Sequence, residues 1–162
     1  MRPIERVIAL WRTQFLSDEE VVAWADRQIL KSDCASQELI DLSLYGPAQC
    51  LRRSDSDFAA ALTPLPYSTE FALRASALPM SSAESVLAFC KWCARSAMGE
   101  ELAIPEVSFG YHVDHLLHDC YLEEEAIGYA RSKLPELLSV CSAAVAPFLE
   151  VLLEVNFQVQ HR

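Results

Sequence analysis

An all-α fold, a bundle of about seven to nine helices paired as antiparallel hairpins, is what this sequence predicts, on three observations. Apolar residues recur at three- and four-residue intervals along most of the chain. Serines that can cap a helix stand at the head of successive apolar runs. Only four glycines are present, and the apolar segments lack the alternation and turn dipeptides of β-hairpins.

The first helix is expected near residues 3–15, where Ile4, Val7, Ile8, Trp11 and Phe15 fall on one face. The second, near 18–31, opens on the capping box of Ser17 and Glu20 and carries a shorter stripe of Val22, Ala25 and Ile29. Ser36 caps a third, near 36–45, which Gly46-Pro47 should end, because proline cannot continue a helix and glycine accepts the left-handed turn that closes one. Ser54 or Ser56 heads a short helix near 55–62, and Ser68 one near 68–78. Residues 81–84 repeat the capping box before a helix near 82–98, which Gly99 stops. The remaining helices are expected near 106–121, 123–134 and 136–155, with Pro147 a site for a kink in the last. The tail from Val155 alternates like a strand or frays. One domain, residues 1–162, is expected, with connections 63–66 and 99–105 as the two places for a subdomain boundary.

A content of 52% hydrophobic and 22% charged residues is that of a folded chain. The charge is unevenly placed: residues 1–99 hold 10 Lys/Arg against 12 Asp/Glu, and residues 100–162 hold 3 against 11. Such an acidic C-terminal third repels nucleic acid and anionic membrane and favours basic partners. The longest uncharged stretch, 137–149, is too short to span a bilayer. The start of the chain carries Glu5 and Arg6 among its apolar residues and no cleavage pattern, so a cytoplasmic protein is expected. In that compartment the six cysteines are expected as thiols, mostly buried.

Two stretches resemble chemistry. Cys90 and Cys93 have the spacing of a redox pair or half a zinc site, but they lie about two turns beyond the helix start and in the middle of its apolar stripe, which predicts core thiols. The stretch GYHVDHLLHDC, residues 110–120, holds three of the four histidines. At the α-helical period Tyr111, His112, His115, His118 and Asp119 share one face, and Val113, Leu116, Leu117 and Cys120 form the apolar face. His115 and Asp119, four residues apart, are placed to pair, yet no activated nucleophile is evident beside them. A stripe turned to solvent or to a partner is therefore expected. A metal site, should one exist here, would use His112, His115, His118 and Asp119. Glu123, Glu124 and Glu125 complement the positive start of the next helix. Dinucleotide, phosphate-loop, nucleophile-elbow and calcium-loop motifs are all missing from the sequence, and no cofactor is expected.

The segment LSDEEVVAWADRQI followed by QELIDLSLYG, within residues 10–46, resembles the N-terminal portion of small helical bacterial proteins, some of which are thought to act as immunity proteins beside secreted toxins. Its landmarks are Trp11, the Ser17 capping box, Trp24-Ala25-Asp26 and Leu42-Ser43-Leu44. The resemblance implies a bacterial origin and a binding role, and no functional residues come with it.

Together these features predict a non-enzymatic, acidic protein-binding module that neutralises a basic toxin domain through Tyr111, Asp114, His115, Asp119, Tyr121, Glu123, Glu124 and Glu125. The alternatives are a metal-binding protein or metal-assisted hydrolase built on the histidine stripe, and a dimeric structural or adaptor module.

Overall fold

The computed structural model describes residues 1–52 and 65–159, and every regular element among them is helical, which makes the fold an all-α bundle. The chain divides into two compact units, Met1–Pro64 with Ala146–Arg162, and Leu65–Val145. The expected helix near 55–62 with its serine caps, and residues 160–162 of the tail, lie outside the described residues.

In the first unit, α1 (Pro3–Arg12) begins on a proline whose missing N–H is no loss at a helix start. Arg2 holds that start in place: its backbone N–H donates to Glu5 Oε2 at 2.8 Å, and its guanidinium donates to both Glu38 oxygens at 2.8 and 3.2 Å. Ile4, Val7 and Ile8 are buried on the inner face, together with Ala9 and Leu10. The helix stops three residues earlier than the apolar period predicts, because Gln14 adopts a left-handed φ of 65° and Phe15 N–H donates back to Leu10 O at 2.8 Å. Thr13 Oγ1 donates to Ala9 O at 3.0 Å and occupies another carbonyl of that end.

α2 (Asp18–Lys31) has its capping box formed in full: Glu20 N–H donates to Ser17 Oγ at 3.2 Å and Ser17 N–H to Glu20 Oε2 at 2.8 Å. Its buried face is Val21, Trp24 and Ala25, one position round from the expected stripe, and Val22 and Ile29 sit at the margin. The large Trp24 ring, 2% exposed, has the most apolar area to remove from water and takes the centre of the face. α3 (Gln37–Cys50), capped by Ser36, packs along α2. Where Gly46-Pro47 predicted an end there is a break: Gly46 has φ 71° and ψ 167°, and Pro47 begins a last helical turn. The closing part of the chain's last helix contributes Phe148, Val151 and Val155, buried at i, i+3 and i+7.

The second unit is built on aromatic rings. α4 (Tyr67–Ser76) starts one residue before Ser68 and has no side-chain cap. Tyr67 fixes this start instead: its hydroxyl donates to Glu106 O at 3.1 Å and its ring stacks on Trp92 at 5.7 Å. α5 (Ala83–Ser96) is capped by Ser82 and not by Ser81, with Ser85 N–H donating to Ser82 Oγ at 3.1 Å. Phe71, Phe89 and Phe109 meet with centroids 5.5 to 5.6 Å from Phe71, in tilted and edge-on arrangements that aromatic quadrupoles favour. α6 (Pro105–Asp114) packs on α5 and runs into a single π-helical turn, His115–Asp119.

α7 (Glu123–Val159) takes in the two helices expected near 123–134 and 136–155, with helical backbone at both Pro135 and Pro147, but its axis breaks between Cys141 and Val145 and not at the expected Pro147. It also takes in Val155–Val159 of the tail. In the second unit its inner face is Ala126, Ala130 and Leu134, all fully buried. Burial of that face compensates the hydrogen bond that Pro135 forfeits, a loss of about 3 kcal/mol in an exposed helix. No single helix among the described residues is long and apolar enough to cross a membrane.

Candidate functional site

The corner where α6 ends and α7 begins gathers most of the residues that the sequence singles out. It is shaped by two departures from α-helical geometry. Cys120 N–H donates to His115 O, five residues back, at 3.1 Å, and Leu122 N–H donates to Leu116 O, six residues back, at 2.9 Å. Tyr121 carries the left-handed φ of 58° that this closure requires.

The π turn changes which side chains are neighbours. In an α-helix residues five apart point to different faces, whereas in a turn closed by an i to i+5 hydrogen bond they come into line. Cys120, expected on the apolar face, is therefore exposed, with its Sγ 3.5 Å from His115 Nε2. The other ring nitrogen of His115, Nδ1, lies 2.8 Å from Asp119 Oδ2, so the expected pair is formed. His118 Nδ1 pairs with Asp114 Oδ1 at 2.6 Å. His112 lies apart from both, its ring 4.2 Å from that of Tyr129.

Among the described residues no group of three or more His, Cys, Asp or Glu side chains is placed to hold a metal ion. His112, His115, His118 and Asp119 are thus not brought together around a common point: two of the histidines turn to separate carboxylates and the third to a tyrosine ring.

The carboxylate and tyrosine positions divide in the same way. Tyr111 is half-buried and its hydroxyl accepts from Gly99 N–H at 3.2 Å. Glu123 forms an ion pair with Lys91 at 2.9 Å, and Asp114 is held by His118. Tyr121 is 83% exposed and Leu122, beside it, is also exposed. Glu124 and Glu125, in the first turn of α7, face solvent. Outward-facing chemistry is therefore carried by His112, His115, His118, Asp119, Cys120, Tyr121, Glu124 and Glu125. Cys120 sits beside His115 and not on the apolar face where its spacing puts it, because nothing in the residue types of 115–119 marks a π turn.

The paired thiols Cys90 and Cys93 are core groups, both fully buried. Burial pushes the Cys90 thiol up to about 11 and Cys93 well above the ordinary thiol value, the opposite of what a redox pair requires. Cys141 is also buried, near Glu106 Oε1 at 3.7 Å; burial first, then that carboxylate, raise its pKa to about 11. No family model matches the chain, and comparison with curated proteins and with solved structures finds no match either.

Proposed function

We propose that this chain is a non-catalytic, acidic binding protein of the cytoplasm that neutralises a basic partner, in the manner of a bacterial immunity protein, through the corner between α6 and α7. The observation that carries the reading is Tyr121: an aromatic side chain, 83% exposed, on a backbone with φ 58° where glycine or asparagine is the ordinary occupant. Left-handed backbone costs a side-chain-bearing residue about 1–2 kcal/mol. Strain of that kind persists where another requirement outweighs it. A rigid tyrosine flanked by carboxylates is the composition of an interface anchor, the ring supplying area and the acids supplying attraction.

Asp119, Glu124 and Glu125 surround this residue in sequence, within the acidic third of a chain of net charge -10. The resemblance of residues 10–46 to small helical bacterial proteins, some of which are thought to act as immunity proteins, supports the same reading. Such a role needs no reactive centre; it needs a stiff scaffold and a field that speeds encounter.

The test is association with a basic protein partner, sought first among the products of open reading frames adjacent to this chain's gene, followed by stopped-flow fluorescence at low and raised salt. Replacing Glu124 and Glu125 together with lysine should slow association about tenfold at low salt, with a smaller effect at high salt. Association that ignores both salt and the double replacement would exclude this corner as the binding surface.

A further inference from the structure

Within the same corner, and beyond any part His115 and Asp119 take in binding, the Cys120, His115 and Asp119 side chains form a relay. Cys120 Sγ stands 3.5 Å from His115 Nε2, and His115 Nδ1 stands 2.8 Å from Asp119 Oδ2. With Nδ1–H donated to the carboxylate, Nε2 is left as an acceptor and points at the thiol; this is the order of groups by which a carboxylate orients a histidine that activates a nucleophile. All three residues are exposed, so the sulfur is open to a reagent from solution. The alignment depends on the π turn, whose Cys120 N–H to His115 O bond holds the two residues one above the other.

We propose that Cys120 is a thiol-exchange site, with His115 as its general base and Asp119 as the residue positioning His115, and that its substrate class is small aliphatic disulfides. His115 Nε2 takes the thiol proton as Cys120 Sγ attacks one sulfur of the disulfide. The bond between Cys120 and that sulfur forms as the substrate's sulfur–sulfur bond breaks. The departing thiolate takes the proton back from His115 and leaves as a thiol, so the Cys120 sulfur is oxidised and the departing sulfur reduced. Displacement at sulfur suits this location better than acyl transfer. Displacement at sulfur passes charge from one sulfur to another and needs no oxyanion donors, whereas acyl transfer requires a preorganised set of them. The acidic neighbours Asp119, Glu124 and Glu125 further favour a disulfide bearing amines over one bearing carboxylates.

Cys34, also exposed, is an internal reference on the same chain. The fully reduced protein is mixed with cystamine, quenched with acid at intervals, and the modified cysteines are mapped by peptide mass spectrometry. Cys120 should form its mixed disulfide about tenfold faster than Cys34. His115→Gln should bring Cys120 down to the Cys34 rate, Asp119→Ala should slow it in part, and Asp119→Glu should restore most of the loss. His112→Gln should change nothing, which separates base assistance from a general loss of imidazole. Circular dichroism of each variant checks that the helices remain. Equal rates at Cys120 and Cys34 in the parent chain, or a Cys120 rate untouched in a folded His115→Gln variant, would overturn the proposal.

Discussion

Gly110 on α6 passes so close to α5 that a methyl group on it would stand 2.5 Å from the Ala97 Cβ and 3.1 Å from the Cys93 carbonyl oxygen. This contact lets the two helices close over Cys93 and brings Tyr67 within reach of the Glu106 carbonyl. Gly110→Ala should therefore destabilise the protein by about 2 kcal/mol, the overpacking cost outweighing the roughly 1 kcal/mol that alanine gains in helix propensity. Gly128→Ala has open space around it and should stabilise by about 0.5–1 kcal/mol. Thermal unfolding of the two variants should shift in opposite directions, and a neutral Gly110→Ala would show that the helices can part without loss.

Signals written in single residues were legible in the sequence. Ser17 and Glu20 form the capping box their spacing predicts, and Gly46-Pro47 marks a break because both residues constrain the backbone directly. The burial of Cys90 and Cys93 followed from helical periodicity alone. Features set by tertiary contacts were not legible. Ser82, and not Ser81, caps α5, while the Met80 and Ser81 carbonyl oxygens accept from Arg131, far along the chain. The His115–Cys120 contact was hidden for a related reason: a wheel drawn at 3.6 residues per turn places residue i+5 on another face, and only the backbone shows the i to i+5 bond. A left-handed Tyr121 was equally hidden, since its residue type argues against that conformation.

The Ser17 capping box satisfies two groups at the junction of α1 and α2, while Trp11 Nε1–H donates to Asp18 Oδ1 at 2.6 Å across the same junction. Ser17→Ala removes the acceptor for Glu20 N–H and should cost about 1 kcal/mol. Ser17→Asp, which keeps an acceptor and adds charge at the positive helix end, should recover most of that loss. Chemical denaturation of the two variants measures the difference, and equal midpoints would show that the Trp11 contact alone sets the helix start.

Alkaline pH should weaken this protein through its buried thiols. Cys90 and Cys141 are both raised to about 11, chiefly by burial, so in the folded chain they stay protonated where unfolded thiols ionise. Above about pH 9 the unfolded state releases protons that the native state retains, so stability is complete below that point and falls as pH rises toward about 11. Two pH units of mismatch correspond to at most about 2–3 kcal/mol for Cys90, and to less for Cys141, whose thiol is more open to solvent screening. Cys90→Ala should lower stability at neutral pH by leaving a small cavity, yet flatten the alkaline decline. Denaturant unfolding at about pH 8 and about pH 10.5 gives both quantities, and an unchanged slope in the variant would assign the decline to other groups.

Tyr121 offers the sharpest separation of stability from recognition. Tyr121→Gly removes the penalty of its φ of 58° and should stabilise the chain by about 1 kcal/mol, or roughly 2–4 °C in melting temperature. Gln14→Gly, at the equivalent closure of α1 with φ 65°, should give a similar gain. The two differ in what else is lost. Gln14→Gly should leave binding of the basic partner intact, whereas Tyr121→Gly should weaken it by about 2 kcal/mol, near thirtyfold in dissociation constant. Calorimetric titration of both variants against the same partner decides the matter. A Tyr121→Gly protein that is more stable and binds equally well would leave the strain at this residue without a function.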